Sequence, residues 1–189
     1  KNETDVLTLK VTGDGPIKSI TVTADAFSNV KGIIYNNSYV NPPLPNGHFD
    51  VGGAVGYGIL TVIRDEGLKE PYVGQTTLIT GEIAEDLTYY FAESEQIPTS
   101  VGLGVLMNKD DLTVKHSGGF IIQLLPFATE DTVSKLEKSL ANVKSVTDFF
   151  ENGMTVEDMI RSIIGEDVFG MDISIEDKIP TAYKCNCSR

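Results

Sequence analysis

The feature that most constrains how this chain can fold is a switch in its hydrophobic period. Up to Pro126 apolar residues mostly recur at every second position, and beyond it they recur at helical spacing. Val6, Thr8 and Lys10 alternate with Leu7, Leu9 and Val11; Ile20, Val22 and Ala24 alternate with Ser19, Thr21 and Thr23. Both are patterns of half-buried strands. Further strands are expected over 30–35, 58–64, 73–80, 101–107 and 112–125. Gly13-Asp14-Gly15-Pro16 reads as a turn after the first strand, and Asn108-Lys109-Asp110-Asp111 as the hairpin turn joining the last two. Pro42, Pro43 and Pro45 remove donors and fix φ, so 41–47 must be a loop.

One helix interrupts the β-rich part. Ile83, Leu87, Tyr90 and Phe91 form a single apolar stripe, with Thr80 or Gly81 as the expected cap and Pro98 as the limit. After Pro126, Val133, Leu136, Leu140 and Val143 take helical spacing behind Thr129, a cap residue. Ser145-Val-Thr-Asp148 starts a short helical turn around Phe149 and Phe150. Thr155-Val-Glu-Asp158 resembles a capping box with Asp in place of Glu, and it opens a helix whose face carries Val156, Met159, Ile160, Ile163 and Ile164. Isolated helices this short are marginal in water, so they must rest on something. A boundary is expected near residue 128.

Composition narrows the function. The net charge is −12 among 189 residues, and Lys and Arg are not clustered, which argues against nucleic acid and anionic membrane surfaces. No apolar run approaches the roughly 20 residues that span a bilayer. Lys1 leads straight into Asn2-Glu3-Thr4-Asp5, so no signal peptide is read there, and the missing initiator Met suggests a start further upstream. Two cysteines do not make a secreted disulfide framework, and a reducing cytoplasm is expected.

Most catalytic constellations are absent. The glycine-rich stretch 52–58 lacks the G-K-[ST] of a phosphate loop and the order of a dinucleotide site, so it reads as a bend or bulge where backbones approach closely. Gly102, Gly104, Gly118 and Gly119 read the same way. His48 and His116 sit apart without H-E-x-x-H, and no G-x-S-x-G elbow supports a triad. Glu82, Glu85 and Asp86 fall where the helix dipole favours acids. The remaining candidate is Cys185-Asn186-Cys187. Two thiolates suit zinc but need two more ligands for tetrahedral closure. Lys184 and Arg189 would favour the thiolate form. A disulfide at i, i+2 requires the chain to bend, because the extended spacing of ~7 Å lies near the upper limit for such a bond. The cysteines alone leave zinc, redox chemistry and two idle thiols open.

Several stretches match one family in order: Leu9-Lys-Val-Thr-Gly-Asp-Gly-Pro16, Asp50-Val-Gly-Gly-Ala-Val-Gly56, Leu60-Thr-Val-Ile-Arg-Asp65 and Glu70-Pro-Tyr-Val-Gly-Gln75. They continue through Gly81-Glu-Ile-Ala-Glu-Asp-Leu-Thr-Tyr-Tyr-Phe91, Ser94-Glu-Gln96 and Gly118-Gly-Phe-Ile-Ile-Gln-Leu-Leu-Pro126, and Lys184-Cys-x-Cys-Ser-Arg189 matches the first half of a zinc motif. Over essentially its whole length the chain resembles the redox-regulated 33-kDa chaperonin family, heat shock protein thirty-three. The resemblance implies an ATP-independent, non-enzymatic holdase of the cytoplasm that captures unfolded clients and forms homodimers when activated. It implies zinc in the full-length reduced form, held by Cys185, Cys187 and a later C-x-x-C, with oxidation pairing Cys185 with Cys187. Because that C-x-x-C and an N-terminal segment are missing, the chain is read as a piece of a longer protein whose own metal state stays open.

The expected architecture is α+β. A β-rich core over 1–128 carries one main packed helix, a connector of short amphipathic helices covers 129–182, and 183–189 begins a zinc-binding module. Client contact is expected at Val133, Leu136, Leu140, Val156, Met159, Ile160 and Ile163, or on core surface that they cover; in the resting state those faces should pack as ordinary core. The rival reading is a small thiol-disulfide oxidoreductase using the C-x-C, although no thioredoxin-like βαβ pattern precedes it and the thiols are expected at an unstructured end. A purely structural zinc protein is a third.

Overall fold

The computed structural model describes residues 3–40, 42–108, 113–170 and 172–186. Its fold is α+β, and its backbone divides into two compact units, Lys1–Gln96 with Lys178–Arg189, and Ile97–Asp177.

The first unit is built on a six-stranded sheet. In chain order its strands are β1 (Val6–Gly13), β2 (Ser19–Asp25), β3 (Asn29–Ile34), β4 (Gly58–Asp65), β5 (Tyr72–Thr77) and a short β8 (Ala182–Tyr183). Their spatial order is β5-β4-β1-β2-β3-β8, antiparallel except for the parallel β3–β8 pair. The register puts Leu9 opposite Val22 and Val62, and Val11 opposite Ile20 and Leu60. One sheet face is therefore apolar, as the alternation predicts, while Thr8, Thr21, Thr23 and Thr61 occupy the other. Helix α2 (Ile83–Tyr90) supplies Leu87 and Tyr90 to the core that holds Val11, Leu60 and Val62.

Three local expectations change. The glycine-rich stretch is not a bulge: its first half is a short helix, α1 (Val51–Val55). Asp50 caps it by accepting the Gly53 N–H, and Gly56 at φ 73° ends it. Close backbone approach does occur here, because a Cβ on Gly13 would collide with the Val55 carbonyl. The cap of α2 is Glu82 rather than Thr80 or Gly81. Thr80 is engaged otherwise: its hydroxyl accepts the Glu82 N–H, and its own N–H donates to Asp86. Nor does regular helix reach Pro98. It ends at Tyr90, continues as a π-helical turn (Phe91–Glu95), and stops at Gln96 in the left-handed region. That turn brings Glu95 back so that the Tyr90 hydroxyl donates to it at 2.6 Å and Arg64 pairs with it at 3.2 Å.

The second unit opens with the hairpin β6 (Thr99–Met107) and β7 (Val114–Gln123); β6 starts two residues earlier than the sequence predicts, and β7 is shorter at both ends. Asn108 donates to the Thr113 carbonyl at 2.8 Å, while the rest of the expected turn, Lys109 to Asp111, lies outside the described residues. Four helices follow: α3 (Glu130–Leu140), α4 (Val146–Glu151), α5 (Val156–Ile164) and α6 (Glu166–Phe169), the last unforeseen. The expected caps are present. Thr129 accepts from Thr132, Ser145 from Thr147, and Thr155 with Asp158 closes a full capping box. Leu136, Val146, Met159 and Ile163 form the buried centre, against Phe120 and Ile122 of β7 and Phe149 and Phe150 of α4. Gly118 allows the Phe150 ring to lie directly on the hairpin backbone.

This burial sets a contrast within one helix. Met159 is fully buried whereas Val156 is 54% exposed. Met159→Ala should cost about 2–5 kcal/mol in urea unfolding, and Val156→Ala no more than about 0.5 kcal/mol. Equal costs would show that α5 does not pack as described.

Candidate functional site

The segment that leads into Cys185 is paired to the sheet, where the sequence predicts an unstructured end. Ala182 and Tyr183 form β8 and run parallel to β3, opposite Asn29 and Val30. The Ala182 N–H donates to the Ser28 carbonyl at 3.3 Å and the Lys184 N–H to the Val30 carbonyl at 2.9 Å. Beyond them the Lys31 ammonium donates to the Asn186 side-chain carbonyl at 2.8 Å. Cys185 therefore sits on a segment fastened at the residues on either side of it, and it is exposed. Cys187 lies outside the described residues.

The turn under this segment is organised by Asp25. Its carboxylate accepts the backbone N–H groups of Phe27 and Asn29 at 2.9 and 3.0 Å, and the Asn29 side-chain amide at 2.9 Å. Hydrogen bonds from the Asn29 side chain and backbone, with a smaller contribution from the Lys184 charge, hold the Asp25 carboxyl below its ordinary value. Nothing in the sequence marks Asp25 beyond its position at a strand end.

Zinc asks more than the described donors supply. Cys185 is a suitable ligand by chemistry, but among the described residues no group of three His, Cys, Asp or Glu side chains could hold a metal. The described donors do not complete a tetrahedral thiolate site. His48 lies in an exposed loop, and His116 on β7 stands 3.6 Å from Glu151. Of the three helix acids, Glu82 accepts the Gly52 N–H at 3.1 Å and Asp86 is buried, holding the amides of Ile79 and Thr80 at 2.7 and 3.2 Å. Asp86 thus shapes the chain entering α2, a role its helix position alone does not reveal.

The candidate client-binding residues lie in the second unit. Leu136, Met159 and Ile163 are buried; Val133, Leu140 and Ile160 are half-buried; Val156 is exposed. Leu136, Leu140, Met159 and Ile163 thus belong to the apolar core of the second unit, whereas Val156 faces solvent. Exposed apolar side chains are scattered over both units, and three of them are consecutive, Ile33 (70%), Ile34 (42%) and Tyr35 (77%), on and just after β3. The consecutive apolar run Ile33-Ile34-Tyr35 is the signal in the sequence that could have marked this edge.

All 189 residues match the family model described as Hsp33 protein. The 33 kDa chaperonins of Lachnoclostridium phytofermentans and Agathobacter rectalis are 58% and 53% identical to the chain over its full length, which covers 63% and 64% of theirs. The crystal structure of the 33 kDa chaperonin (heat shock protein 33 homolog) from Thermotoga maritima matches 99% of the chain and 62% of its own with a TM-score of 0.86 at 38% identity. The α+β fold is thus that of a chaperonin-type protein, and the chain belongs to the Hsp33 family. It spans a little under two thirds of the length of those relatives. Among the described residues no helix is long and apolar enough to cross a membrane.

A pH test follows from Asp25. A depressed folded-state value stabilises the fold above the ordinary carboxylate range, and that contribution disappears as pH falls through the folded value. The Asp25 carboxyl resonance should titrate below the ordinary range, and Asn29→Ala should move its midpoint upward. An unchanged midpoint in Asn29→Ala would show that the turn does not hold the charge.

Proposed function

We propose that this chain is the client-holding part of an ATP-independent, redox-regulated holdase chaperone acting in the cytoplasm. Membership of the Hsp33 family supports the chaperone class, and the empty search for a catalytic constellation accords with a protein that captures rather than converts. The observation that carries the redox part is the position of the thiols: Cys185 follows a strand paired directly to the sheet, so a change at the thiols acts on the fold at once. In this reading 1–128 act as chaperone core, 129–182 as helical connector, and 183–189 as the first half of a redox module.

In the longer protein Cys185 and Cys187 would supply two of four thiolates to zinc, with the other two from outside this chain. Structural zinc contributes roughly 10–16 kcal/mol of apparent binding energy in small peptides, comparable with the ~5–15 kcal/mol stability of a whole domain. A module built around such a metal folds or unfolds with it. Oxidation would join the Cys185 and Cys187 sulfurs: the two thiolates give two electrons to a peroxide, which takes two protons from solvent and leaves as two waters, and zinc would be released because its ligands are consumed. The strained i, i+2 geometry suits a reversible bond. Clients are unfolded or partly folded proteins, held on the faces carrying Val133, Leu136, Leu140, Val156, Met159, Ile160 and Ile163 once the helices loosen, and the activated form is a homodimer. Neither nucleic acid nor membrane is a partner.

The test is light scattering during dilution of a chemically unfolded protein without nucleotide. The 189-residue chain should suppress most of the aggregation, and the double change Cys185→Ser, Cys187→Ser should suppress it equally, because clients are held upstream of the thiols. No suppression by either would overturn the holdase reading. Disulfide-exchange turnover lost in Cys185→Ser would replace it with the oxidoreductase.

A further inference from the structure

β3 is the last long strand on one side of the sheet, and its pairing with the terminal β8 is incomplete. β8 covers Asn29 and Val30 alone, and no other strand pairs with that side of β3 among the described residues. The register shows which backbone groups face outward. The Tyr35 N–H donates to the Ser19 carbonyl, which makes 19–35 a hydrogen-bonded pair of the β2–β3 ladder. By the antiparallel alternation, Thr21–Ile33 and Thr23–Lys31 also bond inward, and Val30, Gly32 and Ile34 turn their amides and carbonyls out. The Lys184 N–H on the Val30 carbonyl agrees with that parity.

The open part of this edge has the composition that proteins usually avoid there. Ile33 is 70% exposed and Tyr35 77%, with Lys31 the sole charge in β3. A flat, apolar, exposed edge strand is a template for another strand. Its outward residues also share a face with apolar neighbours: Val30 and Ile34 lie on the side of Ala24 and Ile20, and so of Leu7, Leu9 and Val22. Leu7, Val22 and Ile34 are 40%, 39% and 42% exposed, so that face continues uncovered toward the edge. A strand added beside β3 would place every second side chain against it.

We infer that the β3 edge from Gly32 to Ile34 captures an extended, proline-free stretch of non-native polypeptide by strand addition, and that β8 is a built-in occupant of the same edge. β8 shows the kind of ligand the edge takes: an extended segment held by backbone hydrogen bonds, with both of its residues exposed. The ligand's backbone amides provide the affinity, and apolar residues at alternate positions provide the selection. The inference rests on the holdase reading and assigns it a second surface, independent of the helix stripes.

The test is fluorescence anisotropy of a labelled ten-residue peptide of alternating valine and threonine, beside the same peptide with its six central amides N-methylated. The unmodified peptide should bind, and N-methylation should weaken it about tenfold, as loss of one or two backbone hydrogen bonds implies. Gly32→Pro removes an outward donor, a change that edge strands tolerate, and should weaken binding about tenfold with an unchanged circular dichroism spectrum. Ala182→Pro removes the donor to Ser28 and should tighten binding several-fold. Equal affinity of the two peptides overturns the inference without any variant. So does an unaltered affinity in folded Gly32→Pro, or a dimer in sedimentation that Gly32→Pro abolishes and the peptide cannot dissociate, which would assign the edge to a second copy. Should the edge variants leave aggregation suppression intact, the holdase reading survives and this inference fails. Peptide binding without any suppression by the chain would leave the edge a strand-binding site and overturn the holdase reading instead.

Discussion

An open β-sheet has to end, and much of the first unit follows from how this one does. Each end strand presents backbone donors and acceptors that must find partners or water. At the β3 side the partner is β8, from the far end of the chain, and it covers two residues. The thiol-bearing segment is thereby held by backbone hydrogen bonds rather than by buried side chains, since Ala182, Tyr183 and Cys185 are all exposed. Exposed hydrogen bonds with little apolar burial belong to the parts of a fold that open first. Asp25 reinforces the seat electrostatically, through the turn it organises and its attraction to Lys184.

The two units are stabilised by different means. The second is an apolar core of side chains from α3, α4, α5, α6 and the hairpin, with Met159 and Ile163 at its centre. The first uses buried polar groups where elements must be oriented. Asp86 fixes the backbone entering α2 with one carboxylate oxygen, while its other oxygen is buried without a hydrogen-bond partner among the described residues. Tyr90, also buried, donates its hydroxyl hydrogen bond to Glu95, which Arg64 clamps from β4. Burial, with the hydrogen bond and charge of Glu95 behind it, raises the Tyr90 hydroxyl well above its ordinary value, so it stays a donor. Such groups cost more to leave unpaired than they gain when paired, which makes them better at specifying geometry than at adding stability.

These differences explain what could be read from the sequence. Period and caps are local, so the strands, the stripe of α2 and the caps at Thr129, Ser145 and Thr155 were legible. The capping box with Asp158 in the Glu position was legible even as a variant. A two-residue strand has no period, and pairing between positions 29 and 182 is a matter of tertiary closure, so β8 was invisible. α1 was hidden because glycine is a poor helix former, and only the Asp50 cap with the stop at Gly56 makes one turn worthwhile. Cys185 stood out for its chemistry; the run Ile33-Ile34-Tyr35 was visible too, but that it lies on a sheet edge is set by strand order, which no local pattern encodes.

The seat of β8 also bears on how a capture edge could be kept quiet. A segment of the same chain competes for the edge intramolecularly, at an effective concentration set by the chain that connects the two. A client at micromolar concentration meets that competitor at the Val30 end of the edge, whatever its intrinsic affinity. Two or three exposed hydrogen bonds hold the competitor, each with a net contribution of only about 1 kcal/mol. Losing one or two would therefore change the occupancy of the edge by an order of magnitude or more. A bond between the sulfurs of Cys185 and Cys187, as proposed, would require a bend immediately beyond the Lys184 amide that holds Val30. On the proposed reading, small covalent chemistry at exposed thiols would be sufficient to tip the edge from self-pairing to client pairing, because the pairing it opposes is itself weak.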